Sequence, residues 1–152
     1  MQPRTRIARI TLFALVAILM LQVIPSHAGP SGDRRRERMY RATNVSRTNH
    51  EVRKVDLIAR ISDLARRHSL KMARNSDLFH TKDPAATYLE GVRWHTWGEN
   101  VGVTGGSVAD LQAAFMRSSG HRANILNPAF DNVAVGAVRR DGILWVTVVF
   151  WG

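Results

Sequence analysis

NVAVGAVRRDGILWVTVVFW, residues 132–151, carries the reading of the fold. Its two halves, NVAVGAV and ILWVTVVFW, are rich in the β-branched and aromatic residues that suit a pleated, half-buried surface. RRDG stands between them, and Asp141-Gly142 is a strong signal for a tight hairpin turn. An antiparallel hairpin is predicted here.

Moving upstream, FMRSSGHRANILNPAF (115–130) interrupts an apolar helix. That helix opens at Ser107-Val108-Ala109-Asp110, which has the form of a capping box, and Val108, Leu111, Ala114 and Phe115 share one face. Gly120 is expected to end it in left-handed geometry, with HRANIL adding a further turn before Asn127-Pro128. WHTWGENVGV predicts a short strand near residues 94–101, and Gly102 to Gly106 form a flexible connection. Residues 78–93, which include Pro84 and Gly91, read as a loop holding one helical turn. Before them, NHEVRKVDLIARISDLARRHSLKMARN has neither Gly nor Pro. Leu57, Ile61, Leu64, His68 and Met72 recur there at helical spacing. Helix is expected to open at Ser46 or Thr48, to divide near Ser62-Asp63, and to stop at Asn75-Ser76-Asp77. The order helix, helix, loop, strand, helix, hairpin predicts an α+β fold with helices packed on an antiparallel sheet.

The chain has 152 residues, enough for one domain, and no cysteine. Thiol chemistry, disulfides and cysteine-type zinc sites are thereby excluded. Residues 1–28 have the form of a secretory signal: Arg4, Arg6 and Arg9, an apolar run from Ile10 to Ile24, then Pro25 and the small-x-small exit Ser26-His27-Ala28. Retention of this segment as a membrane anchor is the alternative, although its apolar part is short of the ~20 residues needed to span a bilayer. Removal of the signal leaves 19 Lys and Arg against 12 Asp and Glu, a net +7. Such a charge attracts anionic partners. Much of it lies in DRRRERMYRATNVSR (33–47), so residues 29–45 are expected to form a loose basic arm, and residues 46–152 to form the folded domain.

No HExxH and no GxSxG is present, and no two of the candidate polar residues are near neighbours in sequence. His50 and His95 read as surface residues. His68 lies on the apolar stripe and reads as a satisfied core histidine. Composition and periodicity alone reach only as far as an exported α+β domain.

Three stretches carry a resemblance: ARRHSLKMARNSDLFH, then WGENV, then FMRSSGHRANILNPAFDNVAVGAV, followed by WVTVVF. In that order they resemble the CAP superfamily of cysteine-rich secretory, antigen 5 and pathogenesis-related 1 proteins (the SCP domain), in its compact disulfide-free bacterial form. The resemblance covers roughly residues 47–151. It implies a three-layer α-β-α sandwich with a central antiparallel sheet, and a cleft lined by His80, Glu99 and His121. Where animal and plant members carry a second glutamate, this sequence has Ser118. The resemblance offers His80 and His121 as ligands for zinc or another divalent cation, with Glu99 completing the set directly or through water. Loss of the second carboxylate weakens both ion binding and paired acid–base catalysis. Without a metal, Glu99 would hold one imidazole in a fixed tautomer. Asn100, Arg122, Asn124 and Asn127 are given structural roles, and Gly98, Gly120 and Gly136 are assigned to tight packing.

The expected function is a secreted ligand-binding module for a lipid, sterol or cell-envelope component, with His80, Glu99, Ser118 and His121 lining the cleft. The alternative is a metal-assisted zinc hydrolase using the same cleft. Electrostatic attachment to an anionic surface through the basic arm comes third, and no sequence-specific nucleic-acid partner is implied because the arm has no interleaved aromatics.

Overall fold

The computed structural model describes residues 30–152. The signal-like segment lies outside them. The elements run α1 (Pro30–Thr48), β1 (Asp56–Leu57), α2 (Ala59–Asn75), α3 (Pro84–Tyr88), β2 (Trp97–Thr104), α4 (Val108–Arg117), α5 (Ser119–Leu126), β3 (Asn132–Arg140) and β4 (Ile143–Trp151). The strand order is β1-β3-β4-β2. The predicted hairpin is β3–β4, closed by Asp141 and Gly142 at φ 49° and 78°. Two successive positive φ values give the turn whose twist matches the flanking strands.

Alternation along the strands divides the interior into two layers. Val133, Val135 and Ala137 of β3 and Leu144, Val146, Val148 and Phe150 of β4 face Met39 of α1, Val108, Leu111 and Phe115 of α4 and Ile125 of α5. The opposite positions, Ala134, Val149 and Trp151, face Ile61 and Ala65 of α2 with Tyr88 and Leu89. Helices therefore cover both faces of the sheet, as the sandwich reading expects. Each fully buried Val, Leu, Ile, Phe or Met among them contributes ~1.5–3 kcal/mol.

Several local expectations are corrected. The arm expected at residues 29–45 is, from residue 30, part of a 19-residue helix, Pro30–Thr48, in which Met39 and Arg47 are fully buried. Ser46 and Thr48 do not open a helix. They sit at the end of α1, their hydroxyls bonded back to the carbonyls of Ala42 and Asn44. Leu57, placed on a helical stripe, belongs to β1, which pairs in parallel with β3 through Asp56↔Asn132 and Leu57↔Val133. The other two ladders are antiparallel.

The inner face of α2 is also rotated from the expected stripe. Its buried residues are Ile61, Ser62, Ala65, Ser69, Met72 and Ala73, while Leu64 and His68 are only partly buried. Small residues face β3 because the helix backbone lies almost on the strand at Gly136. Beyond the two-residue β1, the amide of Val135 finds its acceptor in the Ser62 hydroxyl at 3.0 Å. The stop at 75–77 holds, but Ser76 takes the left-handed conformation, not Asn75. The predicted strand near 94–101 runs from 97 to 104.

The break in FMRSSGHRANIL is made by Ser118, extended at φ −87° and ψ 122°, which both ends α4 and precedes α5. Gly120 lies inside α5, and a Cβ there would touch nothing within 4 Å. The left-handed stop and tight packing expected of Gly120 are both absent, because a residue with ordinary φ makes the break. The Ser107 capping box is present, with Asp110 bonded to both the amide and the hydroxyl of Ser107 at 2.8 Å.

Candidate functional site

Glu99 is the centre of the candidate site. Alternation along β2 turns its side chain to the α2 face, where only 2% of it is exposed. A buried carboxylate requires donors, and the 80–81 loop supplies three. His80 Nδ1 lies 2.8 Å from Oε1, the Thr81 amide donates to the same oxygen at 2.9 Å, and Thr81 Oγ1 donates to Oε2 at 2.7 Å. Tyr88 OH, 2.6 Å from Thr81 Oγ1, completes the chain as its donor. Burial pushes the Tyr88 phenol well above its ordinary value, so it stays protonated for this task. Because an ionised carboxylate only accepts, Nδ1 of His80 carries the proton and Nε2 is left as an acceptor on an exposed ring.

The second half, Ser118 and His121, expected in the same cleft, lies outside the lining of the cavity that His80 and Glu99 share. His121 Nδ1 is 2.9 Å from Ser118 Oγ, and its ring lies 4.8 Å from that of Phe115. Two asparagines tie the halves together around the edge strand. Asn100 Nδ2 donates to the His121 carbonyl at 3.0 Å, and Asn124 Nδ2 reaches Asn100 Oδ1 at 2.8 Å and the Glu99 carbonyl at 3.2 Å. Asn124 can lie on the strand because residue 98 is glycine: a Cβ there would come within 2.6 Å of Asn124 Oδ1. Asn100 thus has the structural role expected of it. Asn124 does not close the turn after His121 but binds back to β2, whereas Asn127 Oδ1 does accept from the Ala129 amide. Among the described residues the Arg122 side chain makes no hydrogen bond or ion pair.

A cavity of about 560 Å³ opens here, lined among others by His80, Asp83, Trp97, Gly98, Glu99 and Asn124. Thr81, Trp97 and Asn124 were not foreseen as parts of it. Only the exposed aromatic beside GEN hinted at Trp97.

The donor set does not suit a resident metal ion. Among the described residues no three His, Asp or Glu side chains gather as ligands. Both Glu99 oxygens are already accepting, and His80 and His121 each spend one ring nitrogen on a neighbour. Glu99 acts as a buried anchor for the loop, its two oxygens accepting three hydrogen bonds from His80 and Thr81.

His68 lies beside this group. Its Nδ1 is 3.1 Å from Thr147 Oγ1, while Nε2 is buried without a hydrogen-bond partner. Burial lowers its pKa, Lys71 and His80 add to the shift, and Glu99 opposes it. The His121 pKa is also lowered, first by burial and then by the charge of His80. Both imidazoles are thus held neutral when folded. Below the ordinary value of 6.5 the unfolded chain takes up protons that the folded chain refuses, so stability falls with pH until the folded values are reached. Urea midpoints are expected to drop between about pH 7.5 and pH 5.5, and to drop less in His68→Gln and His121→Gln. Equal wild-type midpoints at the two values would contradict this.

Residues 40–150 match the family described as "Cysteine-rich secretory protein family", CAP. The chain belongs to this family. It is 29% identical over 108 residues to YkwD of Bacillus subtilis (strain 168), an uncharacterized protein, covering 68% of this chain and 42% of YkwD. Its fold is similar to that of an extracellular SCP-domain protein of Bacillus anthracis, with a TM-score of 0.67, 24% identity, and coverage of 82% of this chain and 44% of the other. It is also similar to an outer surface protein of Borrelia burgdorferi, with a TM-score of 0.67, 16% identity, and coverage of 76% and 90%. The chain spans less than half the length of the two Bacillus proteins. The α-β-α sandwich is that of the SCP domain. Among the described residues no helix is long and apolar enough to cross a membrane.

Proposed function

We propose that this CAP domain is an exported ligand-binding module that seats a lipid or cell-envelope component in the cavity beside His80 and Trp97. The commitment of Glu99 carries this reading. Its two oxygens accept three hydrogen bonds from His80 and Thr81, so it builds the cavity wall and fixes His80. The exposed face of His80, the Trp97 ring and the Asn124 amide then offer hydrogen bonds and a flat apolar surface, the combination typical of ligand cavities. Export is supported by the leader-like residues 1–28 and by relatives described as extracellular or outer-surface proteins. The zinc-hydrolase alternative finds no support in the donor arrangement.

A panel of lipids, sterols and cell-wall glycans, read by calorimetry and by Trp97 fluorescence, tests the reading. Saturable binding is expected, weakened about tenfold or more in Trp97→Ala and His80→Ala. Trp97 is exposed, so Trp97→Ala should keep the wild-type unfolding midpoint, whereas His80→Ala removes one donor from buried Glu99 and should lower it modestly. A folded wild type that binds nothing in the panel, or that turns over a substrate in a His80-dependent way, overturns the proposal.

A further inference from the structure

A second cavity, of about 600 Å³, lies on the other side of the 80–83 loop, and His80, Thr81, Lys82 and Asp83 line both. One wall is a single face of α2: Leu64, Arg67, His68 and Lys71 fall at i, i+3, i+4 and i+7. This is where Leu64 and His68 go once the small-residue face of α2 is turned to the sheet. The opposite wall is Phe79, the 80–83 loop and Thr87. Phe79 is half-buried, stands edge-on to His68 at 5.2 Å, and has Lys71 Nζ 5.6 Å from its ring centre.

The charge of this cavity is one-sided. Arg67, Lys71 and Lys82 make no ion pair among the described residues. Of the two nearby acids, Asp83 caps α3 through the Ala86 amide, and Glu99 is buried behind His80 and Thr81. Three cations around a concave wall concentrate positive potential. Arginine presents a fork suited to phosphate or carboxylate, and lysines add point charge. Leu64 and Phe79 give the same cavity an apolar floor.

We infer that this cavity takes an amphiphilic oxyanion, its phosphate or carboxylate held among Arg67, Lys71 and Lys82 and its apolar remainder lying on Leu64 and Phe79. The inference rests on the reading of this domain as a binding module and adds a second cavity with the charge of what it takes. The oxyanion can arrive as a free amphiphile or as the headgroup of a membrane lipid.

The test titrates the purified protein with monomeric dodecyl phosphate, and with dodecyl maltoside as the neutral counterpart, by calorimetry and amide chemical shifts. Dodecyl phosphate is expected to bind one to one, to shift residues 64–71 and 79–87, and to weaken with salt. Arg67→Gln/Lys71→Gln/Lys82→Gln should weaken it about tenfold or more. Arg34→Gln/Arg38→Gln/Arg41→Gln, which removes as much charge from exposed positions of α1, should leave it within about twofold. Co-sedimentation of wild type and cavity variant with phosphatidylglycerol and phosphatidylcholine vesicles separates the sources. Capture by the anionic vesicles alone, lost in the cavity variant, assigns the headgroup, and binding of the monomer alone assigns the free amphiphile. Equal binding by the cavity variant and wild type, or equal losses in the two charge variants, overturns the inference. Should dodecyl maltoside bind this cavity as tightly as dodecyl phosphate, the anion preference falls while the binding reading stands. If neither amphiphile nor any panel ligand binds, both fall.

Discussion

Gly136→Ala is expected to cost this domain upwards of ~3 kcal/mol, beyond the usual range for one added methyl group in a core. A Cβ at residue 136 would lie 2.2 Å from the Ala65 carbonyl carbon and 2.3 Å from both the Ala65 oxygen and the Arg66 nitrogen. These are backbone atoms in the middle of α2, so no rotamer change relieves the overlap. The helix would have to lift by about 1 Å, and protein interiors resist such displacement because they are close-packed. Lifting α2 also loosens its polar contacts with the sheet, where Ser62 accepts from the Val135 amide at 3.0 Å and Ser69 Oγ sits 3.2 Å from the Gly136 carbonyl. Gly120→Ala is the control: it adds a methyl group in open space within a helix and should be neutral or stabilising by up to ~1 kcal/mol. Urea unfolding of the two variants checks both expectations. A Gly136→Ala midpoint equal to that of wild type would show that α2 does not rest on β3 as described.

Arg47→Ala should be nearly as damaging, at ~3–5 kcal/mol out of the ~5–15 kcal/mol that holds a domain of this kind together. Arg47 is fully buried, yet it makes no salt bridge among the described residues. It donates to four backbone carbonyls: Arg53 at 2.6 Å, Ile125 at 2.8 Å, Asn127 at 2.9 Å and Phe130 at 3.0 Å. Carbonyls at the end of α5 have no partner within their helix and carry the negative end of its dipole. The guanidinium satisfies them and ties α5 and the 127–130 loop to the end of α1. Burial lowers its pKa, the neighbouring charge of Arg53 adds to this, and Asp131 opposes it. Alanine would leave the carbonyls of Arg53, Ile125 and Phe130 without this donor, around a cavity. Arg47→Lys keeps the charge but offers one nitrogen where a fork is needed, so it should recover only part of the loss. Thermal unfolding of the three proteins decides the point. A lysine variant as stable as wild type would mean that charge, not the fork, is what matters.

The parts of the fold legible in the sequence were those set by local pattern. The hairpin followed from two β-branched runs around Asp141-Gly142, and α4 followed from Ser107, Asp110 and the apolar spacing after them. The family resemblance put Glu99 and His80 in one site, and in the fold His80 Nδ1 lies 2.8 Å from Glu99 Oε1. Periodicity erred on α2, where hydrophobicity marked Leu64 and His68 as the inner face. Ser62, Ala65 and Ser69 are inside because only small residues let a helix approach the strand so closely. It erred on Gly120 too, since glycine only permits left-handed geometry and Ser118 had already made the break.

By itself, then, the sequence determined which segments become the hairpin and α4, and which family the order of motifs belongs to, because these depend on turn chemistry, capping and spacing between near neighbours. Only the tertiary structure decided that an arginine-rich stretch is a helix with Arg47 at its buried end, that Glu99 accepts its hydrogen bonds from Thr81 and His80, and that three cations without ion-pair partners among the described residues line one cavity. Each of those depends on partners far away in the chain. Whether a charge is solvated or buried is settled by the groups that surround it, which local sequence does not encode.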